Sequence, residues 1–268
     1  MAKGIKYTNQ PLGTFGGLRH YIDPTTGNYI ISEKGGVSDQ LIKHNPTLER
    51  MRENYTEFGN SVQWTAMVRA NLDEIIHLCF GNYTSWINKM SKTIQKMDPE
   101  GLRGKRGVIS SSHKSLLTTL NFNERHPFRQ VMPREPEVIA SEDRKTITVN
   151  FPGFNSRREL RWPSEYSYYR FTLQIGQLSD LYWSVADKKL VPEYLKAHDN
   201  RVVVRSEWFT ISTDNVNVSL TASFQNDKLP QENVTVMVGL GIEIGKRETP
   251  GTISFTKGDG TMALIACL

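Results

Sequence analysis

The hydrophobic period of this chain changes once, near Pro133 and Pro136, and that change restricts the folds open to it. Ahead of it, apolar residues recur at three- and four-residue steps. Leu48, Met51, Tyr55, Phe58 and Val62 make one run, with Gly59 as an expected interruption. Trp64, Met67, Val68, Leu72, Ile75, Ile76 and Phe80 make a second, stopped at Gly81; Trp86, Ile87, Met90, Ile94 and Met97 make a third, stopped at Asp98-Pro99. Such steps line up on one helix face. Asn45-Pro46 supplies a capping side chain and a first-turn proline. Behind the change the period is two, in Ile147-Val149-Phe151, Tyr169-Phe171-Leu173-Ile175, Val216-Val218-Leu220, Val234-Val236-Val238 and Ile242-Ile244, with further short β-prone runs between turn signals. Alternation of this kind marks half-buried strands. The chain is therefore expected to be α+β. An N-terminal β-hairpin and a helical hairpin or three-helix layer should be followed by an antiparallel, Ig-like β-sandwich, with domains at 1–132 and 133–268.

Both outer segments carry information. Leu18–Ile22 and Asn28–Ile31 flank Asp23-Pro24-Thr25-Thr26-Gly27, a hairpin signal, and Ile5-Lys6-Tyr7 alternates weakly before it. An isolated hairpin is marginal in water, so this one is expected to need a partner surface. At the other end, Lys257-Gly258-Asp259-Gly260 reads as a hairpin turn, and Met262–Leu268 has no charged side chain. In a regular strand Met262, Leu264 and Leu268 share one side, with Ile265 and Cys267 opposite. Two apolar sides call for cover on both, from the chain's own sheet or by strand addition to another chain.

Charge is uneven. Of a formal net charge of +5, the first 132 residues carry 17 Lys and Arg against 11 Asp and Glu. The excess concentrates between Lys89 and Lys114, at Lys89, Lys92 and Lys96 in the third apolar run and at Arg103, Lys105, Arg106 and Lys114 in the glycine-rich 98–115 loop. Such a segment can hold a nucleic acid or serve as a solvated surface. No apolar run follows the starting Met-Ala-Lys-Gly and none approaches a membrane span, so a cytoplasmic setting is the default, with extracellular assembly by another route still open.

For chemistry the sequence offers little. The six histidines show no ligand spacing, and the two cysteines, Cys79 and Cys267, make no disulfide framework. His77 and Cys79 are two apart and point to different sides of a helix, which argues for packing. Gly101–Gly107 lacks P-loop spacing, and Gly239-Leu240-Gly241 reads as a turn or bulge. Four Asn-x-Ser/Thr matches, at Asn54, Asn82, Asn217 and Asn233, carry no weight without a signal peptide. Trp162, Tyr166, Tyr168, Tyr169, Tyr182 and Trp183, with Arg157, Arg158, Arg161 and Arg170, could stack sugars or bases, or form a sandwich core with an aromatic rim. No cofactor, metal or small-molecule substrate is inferred.

One stretch resembles a known family. Glu33-Lys34-Gly35-Gly36-Val37, Asn45-Pro46, Arg50-Met51-Arg52-Glu53-Asn54 and Glu57-Phe58-Gly59 are similar to a protein family abundant in Bacteroidota, with a glycine-punctuated hairpin, an R-x-R-E-N-x-x-E-F-G helix and a β-rich second half. The resemblance implies architecture and no catalytic residue. Arg50, Arg52, Glu53, Asn54 and Glu57 form a polar lattice beside an apolar stripe, suited to fixed contacts. With Met262, Leu264 and Leu268 they are the candidate assembly interface. The expectation is a non-enzymatic structural protein that self-associates into a filament, tube or shell. A nucleic-acid binder using 89–114 is the first alternative and a carbohydrate-binding sandwich the second.

Overall fold

A computed structural model describes residues 11–268 except 24–25, 34, 164, 196, 226–228, 250–251 and 256–257. The Ile5-Lys6-Tyr7 run, Pro24-Thr25, Lys34 and Lys257 lie outside the described residues, as does the side chain of His198. By contact the chain falls into two units, Met1–Arg52 and Glu53–Leu268.

The first unit holds an antiparallel sheet of β1 (Gly13–Phe15), β2 (Leu18–Ile22) and β3 (Tyr29–Glu33), in that order. The expected hairpin is β2–β3. A further turn, Gly16-Gly17, joins β1 to β2, and both its residues have positive φ, +57° and +82°. That pairing of conformations matches the right-handed twist of the flanking strands, and glycine adopts it freely. After the sheet comes α1 (Asp39–His44), where Ser38 Oγ accepts the Leu41 N–H at 3.3 Å. A 3₁₀ turn, Pro46–Leu48, begins at Asn45, whose Oδ1 accepts the Thr47 N–H at 3.0 Å.

The remaining elements are α2 (Glu49–Ala70), α3 (Tyr83–Lys96), α4 (Lys114–Leu117), α5 (Phe128–Val131), β4 (Glu137–Ala140), β5 (Thr146–Phe154), α6 (Ser156–Glu159), β6 (Tyr168–Ser179), β7 (Leu181–Ser184), β8 (Lys189–Pro192), β9 (Arg201–Arg205), β10 (Phe209–Thr210), β11 (Val216–Ser223), β12 (Val234–Thr249), β13 (Thr252–Ser254) and β14 (Gly260–Cys267). Antiparallel strands and helices together make the fold α+β. At its centre β6 pairs with β12, from Val234↔Ser179 to Gly245↔Tyr168. β9 and β10 line the other edge of β6, and β13 and β14 the other edge of β12. A smaller sheet has the order β11-β5-β4, and β7–β8 is a separate hairpin.

The two main sheets face each other across one core. Ile147, Val149 and Phe151 of β5 and Val218 and Leu220 of β11 meet Phe171, Leu173 and Ile175 of β6 and Val236, Val238, Leu240 and Ile242 of β12. Phe151 stacks on Phe171 with ring centroids 4.3 Å apart. This is a sandwich in the sense of two facing sheets; an Ig-like strand order is not confirmed by these pairings.

The alternate residues of β6 and β12 are covered too. Trp64, Val68, Leu72, Ile75, Leu78, Ile87 and Ile94 form a second core with Met237, Met262 and Leu264. Residues 53–132 therefore share their core with strands from 133–268, and no core boundary falls at 132/133. Glycines make this close approach feasible. A Cβ on Gly239 would lie 2.8 Å from Ile75 Cδ1, and one on Gly241 2.8 Å from Leu78 Cδ1. Gly239-Leu240-Gly241 is thus no turn: it lies inside one sixteen-residue strand, and the register shift beside Val238/Gly239 places the extra residue on the partner strand β14.

The helices also depart from the expected pattern. α2 passes through Gly59 without a break and ends at Ala70, followed by turns and a 3₁₀ segment, Ile76–Leu78, instead of helix to Phe80. Its buried face is Glu57, Asn60, Ser61, Trp64, Thr65 and Val68, while Tyr55, Phe58 and Val62 are exposed. The first half of the helix is therefore turned with its apolar stripe outward.

Candidate functional site

The signature residues divide between the two units: Arg50 and Arg52 belong to the first, and Glu53, Asn54 and Glu57 meet the basic loop in the second. Arg52 Nη1 donates to the carbonyls of Ile42 and Asn45, each at 2.7 Å, closing the last turn of α1. Arg50 is exposed. Further along α2, Asn54 Oδ1 accepts from Arg103 at 2.9 Å and Glu53 pairs with Arg103 at 3.5 Å. Buried Glu57 accepts the Gly104 N–H at 3.0 Å and lies 3.7 Å from Arg106. Two sets of residues that the sequence suggests for different functions, Glu53-Asn54-Glu57 and Arg103-Arg106, are each other's partners.

The 98–115 loop is held at other points as well. Asp98 accepts the N–H groups of Gly101 at 3.1 Å and Gly107 at 2.6 Å. Val108 bridges to Leu181, and fully buried Asp180 accepts from Ser110 Oγ at 3.0 Å, the Ser111 N–H at 2.9 Å and Ser111 Oγ. Of the remaining basic residues, Lys92 lies over the Phe58 ring and Lys105 over Trp183, while Lys89 and Lys96 are exposed on α3. Of these six candidates, the ones without an acidic partner among the described residues are thus the four lysines, Lys89, Lys92, Lys96 and Lys105.

The C-terminal residues build the protein's own sheet. Met262 and Leu264 are buried under the helices. Gly239 pairs with Leu264 but Val238 with Ala266, so Ile265 is an extra residue. A bulge of this kind inverts the facing beyond it. Leu268 accordingly packs with the sandwich core and Cys267 with the helical one, the reverse of the expected arrangement.

The aromatic cluster is divided. Tyr169 is core, Trp162 and Tyr166 flank the sandwich, and Trp183 belongs to the helical core on β7. Cys79 Sγ lies 3.4 Å from Met262 Sδ, and burial pushes both cysteine thiols up to about 12, so neither is a nucleophile at neutral pH. Among the described residues no group of three or more His, Cys, Asp and Glu is placed to hold a metal ion, and no helix is long and apolar enough to cross a membrane.

One charged centre escapes the sequence reading. Glu243, fully buried on β12, takes Arg170 Nε and Nη2 on Oε2, each at 2.5 Å, and the Thr172 hydroxyl on Oε1 at 3.1 Å. Arg170 in turn lies 4.6 Å from the Trp208 ring centroid and 5.3 Å from that of Phe255. His77 Nε2 is 3.9 Å from Glu243 Oε1 and makes no hydrogen bond. Thr172 spends its proton on the carboxylate, so the set is a clamped ion pair with an imidazole beside it.

That imidazole gives a pH dependence. Burial holds the His77 pKa below its usual value, outweighing the attraction of Glu243, and His126 is lowered in the same way. A lowered folded-state pKa means that the unfolded chain takes up protons first. Stability should stay level above the ordinary histidine range, near pH 6.5, and fall as pH drops below it. Urea midpoints at pH 7.5 and 5.5 measure the fall, and His77→Gln should reduce it. An unchanged pH dependence in that variant would remove His77 as its source.

No family model, curated protein or solved structure matches the chain, so the Bacteroidota resemblance rests on its motif residues alone.

Proposed function

We propose that the protein is a non-enzymatic structural subunit that self-associates into an ordered assembly. The observation carrying this reading is the N-terminal sheet, in which no described side chain of β1–β3 is buried. The register Phe15↔Leu18, His20↔Ile31 and Ile22↔Tyr29 sets these six side chains on one face. Phe15 is 52% exposed and Ile31 54%. A small sheet needs its apolar face packed to be stable, and a contiguous exposed apolar patch marks an interaction surface. The outward stripe of Tyr55, Phe58 and Val62 on α2 is a second such surface. A copy of the same chain supplies both.

Full-length protein at micromolar concentration should sediment as species much larger than 30.5 kDa. Phe15→Asp with Ile31→Asp should shift it to monomer while the main melting transition stays in place. A wild-type monomer at all salt and protein concentrations would overturn the reading. The nucleic-acid alternative is weakened by the engagement of Arg103 and Arg106 with α2.

A further inference from the structure

A cleft of about 790 Å³ opens where the strands of the large sheet end. Arg157 reaches it from α6, Glu165 and Tyr166 from the segment entering β6, Ile211 from just after β10, and Lys246 and Arg247 from the end of β12. Its volume is that of a small-molecule site. The lining holds three cations, Arg157, Lys246 and Arg247, and a single carboxylate, and among the described residues none of the three cations is in an ion pair. Several arginines elsewhere in this chain are ion-paired, among them Arg106 with Glu57, Arg134 with Glu159, Arg170 with Glu243 and Arg205 with Glu74. Tyr166 is half-buried and bonds the Leu160 carbonyl through its hydroxyl at 3.4 Å, and burial pushes its pKa up to about 12, so it stays neutral and holds its place.

The lining selects among ligands. Arginine and lysine lining one cleft without an ion-pair partner favour an oxyanion, to which they make charge-assisted hydrogen bonds. Glu165 would repel a bare oxyanion, yet it can accept hydroxyl protons. Tyr166 and Ile211 add apolar wall, of the kind on which a sugar ring rests. A molecule with an oxyanion at one end and hydroxyls at the other uses every part of this lining. We propose that the cleft binds a sugar bearing an oxyanion, a phosphorylated or sulfated saccharide. This site shares no residue with the surfaces argued for assembly, so either proposal can fail without the other.

The test is calorimetric titration of the full chain with glucose 6-phosphate, glucose 6-sulfate, inorganic phosphate and glucose. Both charged sugars should bind, with glucose and inorganic phosphate each weaker by about tenfold or more, the worth of one charge-assisted contact. The tighter of the two charged sugars identifies the source of the oxyanion. Lys246→Ala with Arg247→Ala should weaken the charged sugars by about tenfold or more, while Lys189→Ala on β8 leaves them unchanged. Glu165→Gln should weaken glucose 6-phosphate but not inorganic phosphate. The proposal is overturned by no binding at millimolar concentration, by glucose or inorganic phosphate matching the charged sugars, or by affinity that the Lys246/Arg247 variant leaves intact.

Discussion

Glu243→Ala will destabilise the large unit by about 3–5 kcal/mol, because it strands Arg170 against the Trp208 and Phe255 rings with no carboxylate to meet it. The Arg170 side chain is 19% exposed and that of Glu243 1%, so water can replace little of the lost pairing. Removing one member of a buried pair costs more than removing both. Glu243→Leu combined with Arg170→Met should therefore recover most of the loss. Thermal melts followed by circular dichroism give the comparison, and the single variant should melt roughly 10 °C lower. If it melts within a degree or two of the wild type, the pair is solvated and the centre is a surface feature.

That centre was hidden by the rule that serves the rest of the sheet. Ile242-Glu243-Ile244 and Tyr169-Arg170-Phe171 alternate as strands do, and in a sandwich the charged positions point to water. Here the second face of the sheet is covered by α2, α3 and the 71–80 segment and, around this pair, by His77, Trp208 and Phe255, so Glu243 is fully buried and Arg170 largely so. A signal was present. Gly239 and Gly241 share the parity of Glu243, and side-chain-free positions on one face of a long strand mark where another backbone comes close. Periodicity located α3 and most strands because their burial follows their period. It misplaced the first half of α2 because the buried groups there are Glu57, Asn60, Ser61 and Thr65. Three of these serve polar bonding: Glu57 accepts the Gly104 N–H, Ser61 bonds the Asn88 carbonyl, and Thr65 bonds the Asn88 side chain. A hydropathy pattern has no means of registering that. The bulge at Ile265 was equally invisible, since every residue near it is apolar and either facing fits the composition.

The C-terminal strand will prove indispensable to the fold. β14 places Met262 and Leu264 in the helical core and Leu268 against the sandwich core, and its backbone completes the edge of β12 from Glu243↔Gly260 to Met237↔Cys267. Arg144 adds a tie, donating to the carbonyls of Val234 at 2.7 Å and Leu268 at 3.3 Å. Truncation after Gly260 strips both cores at once and leaves the paired edge of β12 open, a template for aggregation. The expected product has no cooperative melt and is found in inclusion bodies. Leu264→Asp isolates the contribution of one position. Leu264 is 1% exposed, and an unpaired carboxylate there costs several kcal/mol, so unfolding should come at markedly lower urea and recover in part as the carboxyl is protonated at low pH. Strand addition to another chain predicts the opposite for truncation: a folded, cooperatively melting protein that has lost only its ability to assemble. Circular dichroism with sedimentation decides between them, and a truncated chain that melts cooperatively at the wild-type temperature would show that β14 is dispensable to both cores.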